Sequence, residues 1–212
     1  PLLLKHWPSL EELLLRFGSP QIRNQATMGG NVANASPVGD TPPVLLALNA
    51  TLELRKGTST RTLPIKEFFQ SYKKTALENG EFIVSIFIPV DDNDATVRAY
   101  KVTKRFEDDI SSVCMVVHWR EVNGRFSDVR IAFGGMAEIP RRGQACESVL
   151  EGSSFDLQTI DQAVSALSED FSPINDLRAS ATYRQRIAGN LLRRAFLAET
   201  HPGSELRVTE YV

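Results

Sequence analysis

Hydrophobic residues recur at helical spacing near the amino end of the chain. They are Leu10, Leu13, Leu14 and Phe17. Ser9 precedes them and Glu12 follows three residues later, a pattern typical of a capped amphipathic helix. We therefore predict a helix from Ser9 to Phe17, ended by Gly18.

The hydrophobic periodicity is lost between Gln21 and Asp40, where small and polar residues dominate. Glycines and a proline interrupt the stretch at Gly29, Gly30, Pro37 and Gly39. Because these residues oppose regular secondary structure, we predict a long ordered loop, or loops around a very short strand.

The pattern then alternates between short strands and helical turns. Residues 41–50 favour a helix with prolines in its first turn, and residues 51–55 and 59–63 favour a hairpin. A helical turn over 65–69 and a buried strand over 81–89 follow, the strand being indicated by β-branched and aromatic residues.

A polar run at residues 91–94 is the best candidate for a domain boundary. Beyond it, strands are expected at 96–103, 112–121 and 126–133, and helices at 143–150, 156–168 and 177–199. Asn123-Gly124 is a typical hairpin turn between the second and third strands. Strands first and helices second predict an α+β fold, a small antiparallel sheet covered by helices, with domains at 1–93 and 94–212.

Charge and composition narrow the classes of protein. The chain has 24 basic and 26 acidic residues and a formal net charge of −2, which argues against nucleic-acid binding. No stretch approaches the roughly 20 apolar residues that cross a bilayer, so we predict a soluble, cytoplasmic protein without a membrane partner.

Cysteine and histidine residues indicate neither a disulfide framework nor a metal site. Cys114 and Cys146 are far apart within apolar stretches, as expected of buried thiols in a reducing compartment. His6, His118 and His201 are widely spaced, and His118 lies in an apolar run typical of a hydrogen-bonded core residue.

The candidate chemistry lies between Thr27 and Asp40. Gly29 and Gly30 would allow main-chain amides to approach a pyrophosphate, where a Cβ atom would obstruct them. Polar side chains suited to phosphate or ribose contacts accompany them: Thr27, Asn31, Asn34, Ser36 and Asp40. An ordinary surface loop has a similar composition, and the spacing matches neither the Rossmann fingerprint nor the P-loop. The residues alone therefore leave both interpretations open.

The order of residues is more specific than their composition. The run QIRNQATMGGNVANASPVGD resembles the second flavin-binding segment of the FAD domain in xanthine dehydrogenases and related molybdenum hydroxylases. The matching positions are Ile22, Arg23, Asn24, Ala26, Thr27, Gly29, Gly30, Asn31, Ala35, Ser36, Pro37 and Asp40. Further stretches at 72–89, 100–111, 131–142 and 178–196 extend the resemblance over almost the whole chain.

The resemblance implies a fold and a set of FAD contacts. Residues 1–93 would be the C-terminal part of a vanillyl-alcohol-oxidase-type FAD-binding domain, and 94–212 the C-terminal flavoprotein domain. Contacts to the FAD pyrophosphate and adenosine would come from Thr27, Gly29, Gly30, Asn31, Ser36 and Asp40. Phe17 would lie near the adenine, Ile83 would pack on the flavin and Lys101 would lie at its edge. For Phe17 and Ile83 an ordinary core position is an equal alternative.

Residues 104–109, which we name the acidic loop, resemble a mobile loop near the isoalloxazine ring in this family. Asp108 would bring a carboxylate close to that ring, and Lys73 matches a basic position that can pair with the loop. Negative charge beside the ring disfavours the anionic reduced flavin, so the loop could tune the reduction potential. A solvated surface turn is the alternative.

The resemblance also implies partners. The family's first flavin-binding segment would lie upstream of Pro1, so we expect FAD to bind only with that N-terminal portion in place. The molybdenum cofactor and two-iron two-sulfur clusters would belong to other domains or subunits, with NAD+ or oxygen as acceptor. The chain would then be an electron-transferring part of an oxidoreductase with no catalytic acid or base of its own.

Two alternatives remain from the sequence. One is the medium subunit of a carbon monoxide dehydrogenase or another hydroxylase, which shares the Gly-Gly-Asn motif. The other is a flavin-free docking module. The run from Arg105 to Ile110 favours the xanthine dehydrogenase branch.

Overall fold

The computed structural model describes residues 2–90, 94–106 and 108–203. The expected domain boundary at 91–93 and Glu107 of the acidic loop lie outside the described residues. The α-helices are α1 Leu2–His6, α2 Glu11–Leu15, α3 Pro20–Gln25, α4 Met28–Ala33, α5 Thr41–Ala47, α6 Gln144–Leu150, α7 Leu157–Asp170 and α8 Ala181–Thr200. The strands are β1 Thr51–Lys56, β2 Ser59–Pro64, β3 Phe69–Ser71, β4 Lys74–Thr75, β5 Phe82–Phe87, β6 Thr96–Val102, β7 Val113–Val122, β8 Arg125–Gly134 and β9 Arg141–Arg142. Short 3-10 helices cover Pro8–Leu10 and Ile65–Glu67.

The amino-terminal half is built around a fully buried helix and a small sheet. Every residue of α5 is buried. The antiparallel sheet has the strand order β2-β1-β5, and the two-stranded hairpin β3-β4 lies beside it. Leu52 and Leu54 of β1 point into the core that α5 occupies, so the sheet and helix share one hydrophobic centre.

The second half contains the larger antiparallel sheet, in the order β6-β7-β8-β9. Alternate residues of β7 enter two different cores: Met115 and Val117 pack with residues of α6, α7 and α8, whereas Cys114 and Val116 pack with α5. The strand is buried on both faces, which explains its nearly unbroken apolar sequence. This sheet therefore joins the two halves, because α5 contacts β7 and β8 directly.

Much of the predicted secondary structure is confirmed. The mixed helix and sheet class, the β1-β2 hairpin, the three long strands and the three later helices are all present within a few residues of the expected bounds. Asn123 and Gly124 have φ of 53° and 73°, as a two-residue hairpin turn requires.

The prediction for residues 21–40 is wrong in part. Instead of a loop, the chain forms α3 and then α4, with Gly29 and Gly30 inside the second helix. Ser19 and Thr27 each cap the following helix through a side-chain oxygen that accepts an amide hydrogen bond. These two caps outweigh the low helix propensity of glycine over such short segments.

The capped helix predicted from Ser9 is also corrected. A 3-10 turn occupies Pro8–Leu10, and the N-cap of α2 is Leu10, which provides no side-chain hydrogen bond. The helix ends at Leu15, so Phe17 lies beyond it. Pro8 satisfies the first position of the tighter turn, and the helix starts only after it.

The prediction that β5 is buried is wrong. The strand is at the edge of its sheet, and the side chains of Phe82, Val84 and Phe87 are 55%, 43% and 66% exposed. The composition indicated a strand correctly, but composition cannot report whether a neighbouring element covers the outer face.

Candidate functional site

Thr27 and Gly30 form the start of α4. The Oγ1 atom of Thr27 accepts a hydrogen bond from the Gly30 amide at 3.0 Å. A Cβ atom on Gly30 would lie only 2.9 Å from that same oxygen, so the cap and the glycine depend on each other. Both residues are exposed, which leaves this end of the helix open to a ligand.

Gly29 brings α4 against the edge strand. Among the described residues, a Cβ atom at this position would have only Ile83 within 4 Å, at 3.9 Å, in ordinary van der Waals contact. Gly29 is therefore not required by packing within the chain. Its small size instead keeps the backbone accessible beside an apolar strand, a combination that suits a cofactor with both phosphate and ring portions.

Asn31 and Ser36 hold the rest of the segment in place. The Asn31 Oδ1 atom accepts a hydrogen bond from the Thr41 hydroxyl at 2.6 Å, which links α4 to the first turn of α5. Ser36 Oγ accepts from the amide of Val38 at 3.4 Å within a local turn. Ala35 between them adopts a φ of 48°, so the turn after α4 uses the left-handed region.

Asp40 and Lys101 form a buried ion pair. Lys101 Nζ donates to Asp40 Oδ2 at 2.6 Å, and the hydroxyl of Ser111 donates to Asp40 Oδ1 at 2.5 Å. The side chains of Asp40 and Lys101 are 8% and 3% exposed. Both carboxylate oxygens thus have protein partners, although each oxygen can accept a further bond, and the ribose contact expected of Asp40 stays a prediction.

The thiol of Cys114 lies under this ion pair. Burial and the negative charge of Asp40 raise the pKa of Cys114 well above its usual value. The thiol is therefore neutral at physiological pH and takes no part in the chemistry of the site.

Arg16 is a functional candidate that the sequence reasoning missed. Its guanidinium is 7% exposed and donates to the Lys101 carbonyl at 3.0 Å and to Thr103 Oγ1 at 2.8 Å. It also donates to the Phe106 carbonyl at 3.4 Å and lies 5.5 Å from the centre of the Phe106 ring. At the end of a short amphipathic helix an arginine normally indicates a solvated position, so no pattern distinguished it.

The acidic loop is organised by Asp109. Its carboxylate accepts hydrogen bonds from the amides of Arg105 and Ile110, at 2.8 and 3.0 Å. The hydrogen bond from the Arg105 amide lowers the pKa of Asp109, although burial opposes it. Asp108 is exposed, with a φ of 53°.

The remaining candidates are not brought together with the others. Among the described residues, Phe17 and Asp108 share no hydrogen bond or ion pair with the other candidates. Phe17 is half-buried after α2. The Lys73 ammonium lies 5.9 Å from the ring centre of Tyr72.

Comparison with known proteins identifies the family. Residues 1–91 match the FAD-binding domain in molybdopterin dehydrogenase, and residues 98–198 match the carbon monoxide dehydrogenase flavoprotein C-terminal domain. A structure of carbon monoxide dehydrogenase from Hydrogenophaga pseudoflava superposes with a TM-score of 0.87 at 30% identity, over 93% of this chain and 69% of that one. The chain belongs to the FAD-binding domain family of the molybdenum hydroxylases. FAD is the cofactor of this family, as the resemblance implied.

Relatives of this flavoprotein family include several kinds of oxidoreductase. The nicotinate hydroxylase of Emericella nidulans is 36% identical over 193 residues, which cover 88% of this chain and 14% of that protein. The xanthine dehydrogenase FAD-binding subunit of Escherichia coli O157:H7 is 31% identical over 191 residues, covering 90% of this chain and 65% of the subunit. The chain thus spans 65% of the length of that bacterial subunit and a small part of the fungal enzyme.

Membrane-spanning helices and metal-binding clusters are both absent from the described residues. None of the helices in residues 2–90, 94–106 and 108–203 has the length and apolar character needed to cross a membrane. Across these same ranges, no three His, Cys, Asp or Glu side chains are clustered as a metal ion would require.

Proposed function

We propose that this chain holds FAD within an electron-transferring part of a molybdenum hydroxylase of the xanthine dehydrogenase type. When bound, FAD supplies the redox chemistry, taking electrons from iron-sulfur clusters and passing them to NAD+ or oxygen. The molybdenum centre and the iron-sulfur clusters would be held by other domains or subunits. The side chains described here would bind and orient the cofactor and adjust its electrostatic surroundings.

The proposed contacts divide between two ends of the cofactor. The exposed start of α4, with Thr27, Gly29 and Gly30, would face the pyrophosphate, and Asn31 and Ser36 would fix the backbone behind it. Phe17 would lie near the adenine, and Asp40 and Lys101 would meet the cofactor at one place, because their charged atoms are 2.6 Å apart. Ile83 would pack on the flavin, while Lys101 and Asp108 would approach its ring from the edge.

One observation carries the proposal. Gly29 lies against Ile83 of the edge strand, so the open start of α4 and the half-buried side chain of Ile83 meet at one surface. A phosphate-accessible backbone beside an apolar face fits a cofactor that carries both a diphosphate and a three-ring system. The described residues therefore fit FAD.

We also propose that residues 1–93 and 94–212 are the two domains of the chain. The first would be the C-terminal part of an FAD-binding domain of the vanillyl-alcohol-oxidase type. The large sheet between them supports this division only in part, because α5 packs directly on β7 and β8. The two units would consequently unfold together.

Substitution of Gly29 tests the cofactor site at a position where the chain itself tolerates a side chain. Gly29→Ala adds a methyl group with no close neighbour, whereas Gly29→Leu extends into the space proposed for the cofactor. In the full natural polypeptide we expect Gly29→Ala to keep most of its flavin and Gly29→Leu to lose at least tenfold in FAD affinity. Absorbance near 450 nm after gel filtration measures bound flavin, and the melting temperature measures folding.

Gln25→Leu provides the control, since Gln25 is exposed on the preceding helix. It adds the same apolar side chain outside the proposed site and should leave the flavin content unchanged. Retention of flavin by a well-folded Gly29→Leu protein would contradict the proposal.

A second candidate function is the flavin subunit of a carbon monoxide dehydrogenase-like enzyme. The structural likeness to the Hydrogenophaga pseudoflava enzyme and the match of residues 98–198 favour it as much as the xanthine dehydrogenase relatives favour the first. The two differ in the acceptor: NADH formation by the complete enzyme on addition of NAD+ would support the first, and its absence with an active artificial acceptor would support the second. The flavin-free docking alternative predicts instead that Asn31→Ala impairs subunit association while flavin is retained.

A further inference from the structure

Arg16 connects the first helices to the acidic loop through four contacts. Three are hydrogen bonds to acceptors on the loop and on the strand before it: the Lys101 carbonyl, Thr103 Oγ1 and the Phe106 carbonyl. The fourth is the stacking of the guanidinium over the Phe106 ring. A single buried side chain therefore holds both the entry to the loop and its middle.

One of these contacts reaches Lys101, which the proposed function assigns to the flavin edge. The main-chain carbonyl of Lys101 accepts from Arg16, and its ammonium donates to Asp40. Arg16 thus fixes the backbone of Lys101 from one side while Asp40 fixes its side chain from the other. A shift of Arg16 would move both the ammonium and the loop that follows.

A cleft lies between Arg16 and part of the acidic loop. It has a volume of about 320 Å³ and is lined by Tyr100, Thr103, Lys104, Phe106 and Arg194 together with Arg16 itself. Packing density alone consequently does not hold the acidic loop against the sheet. The hydrogen bonds of Arg16 hold the loop on this side, and Lys104 Nζ ties it to the Leu177 carbonyl on the other.

We infer that Arg16 is a positioning residue for the flavin site: it holds the acidic loop and Lys101 in the geometry that the bound flavin meets. The inference rests on the proposed function for the flavin and on the hydrogen bonds for the loop. Arg16 acts through Thr103, Phe106 and Lys101, and need not touch the cofactor.

An arginine is required for this role and a lysine does not replace it. The guanidinium is planar and carries five donors in a fixed arrangement, so it can reach three acceptors and stack on a ring at once. The lysine ammonium keeps the charge but has neither the flat face nor the span. Arg16→Lys therefore removes the positioning contacts while leaving the net charge near the flavin unchanged.

The test compares Arg16→Lys with Arg23→Lys in the full natural polypeptide assembled with its partners. Arg23 is the matched control because its guanidinium also donates to main-chain carbonyls at the end of α2, those of Leu15, Phe17 and Gly18. Among the described residues, Arg23 makes no hydrogen bond or ion pair with the acidic loop. Hydrogen exchange of residues 103–110 reports on the loop, and visible circular dichroism of the flavin reports on the ring environment.

We expect Arg16→Lys to increase amide exchange in residues 103–110 at least tenfold, with exchange in β7 and β8 unchanged. The flavin content should be retained and the visible dichroism band altered, whereas Arg23→Lys should resemble the wild type in both measurements. Acceleration over the whole chain would overturn the inference, because Arg16 would then be a general stabilising residue. Exchange at the wild-type rate, or a faster loop with an unaltered flavin spectrum, would overturn it as well.

The failure of the proposed function is recognised separately. A wild-type polypeptide that contains no flavin would refute the cofactor assignment by itself. The exchange comparison needs no cofactor, and it would still decide whether Arg16 holds the loop.

Discussion

Breaking the ion pair between Asp40 and Lys101 should strongly destabilise the protein. The two charges are 2.6 Å apart and almost completely removed from solvent. Lys101→Met leaves the Asp40 carboxylate buried with the Ser111 hydroxyl as its remaining side-chain donor, and Asp40→Leu leaves a buried ammonium without its counter-charge. Removal of one partner of a buried pair typically costs about 3–5 kcal/mol, because the other charge stays buried and uncompensated.

The double substitution should cost much less than the sum of the single ones. Asp40→Leu with Lys101→Met removes both charges and fills the space with apolar atoms of similar volume. Replacements of this kind are often neutral or stabilising by about 1–4 kcal/mol. A sum of about 6–10 kcal/mol for the single variants against a cost of at most about 2 kcal/mol for the double variant gives a coupling energy of at least about 4 kcal/mol.

Urea unfolding followed by tryptophan fluorescence measures these values, since Trp119 is fully buried. The titrations should be made on the flavin-free protein and again with FAD in excess, because lost cofactor binding would itself lower the apparent stability. Single variants that cost less than about 1 kcal/mol, or a double variant that equals their sum, would refute the electrostatic argument.

Three further predictions concern the second half of the chain. Gly135→Ala should lower the free energy of unfolding by about 3–5 kcal/mol, because the φ of this residue is +82° and an added Cβ would clash with the Ser112 carbonyl oxygen. Thermal unfolding measures the loss, and a cost below about 1 kcal/mol would contradict the prediction. Burial and the neighbouring guanidinium of Arg130 lower the pKa of His118 below its usual value. Stability that is present above pH 6.5 should therefore fall as the pH drops through the lowered pKa, and His118→Gln should flatten this dependence in urea titrations. Burial raises the pKa of Asp176, but amide and guanidinium hydrogen bonds outweigh it and lower the pKa to about 2. Asp176→Asn should therefore cost about 1–2 kcal/mol at pH 7, and the difference in melting temperature should shrink as the pH falls below about 4; a constant difference would rule this out.

The sequence predicted elements well where one physical signal dominated. Short runs of apolar and β-branched residues located β6, β7 and β8, and the Asn123-Gly124 pair located the turn between the last two strands. Both signals depend on residues that are close together in the sequence, so one amino-acid sequence is sufficient to detect them. The family resemblance likewise depended on a continuous run of residues, and comparison with known proteins confirmed it.

The sequence analysis failed where a side-chain cap was overlooked and where a distant contact decided the outcome. Gly29 and Gly30 predicted a loop because glycine disfavours helices, but the Thr27 cap stabilised one short turn around them. The burial of Arg16 depends on acceptors 85 to 90 residues away. No local pattern carries that information, and the same holds for the pairing of Asp40 with Lys101.

The candidate site is inferred from residues whose exposure or small size is not explained by packing within the chain. Phe82, Val84 and Phe87 are large apolar side chains on the open edge of a sheet, and their exposure costs solvation free energy that burial elsewhere does not recover. Gly29 lies against the same strand although no neighbour requires its small size. The folded chain alone gains nothing from the exposed apolar side chains or from the small size of Gly29. A bound ring system or a covering protein surface would bury the apolar side chains, and a diphosphate would use the accessible backbone at Gly29. Ile83 and Phe82 point to opposite faces of the strand, because Ile83 pairs with the buried Leu54 and Phe82 with the exposed Arg55. Cofactor binding on the Ile83 face therefore explains the glycine, whereas a covering protein surface on the outer face would explain the exposed aromatic side chains.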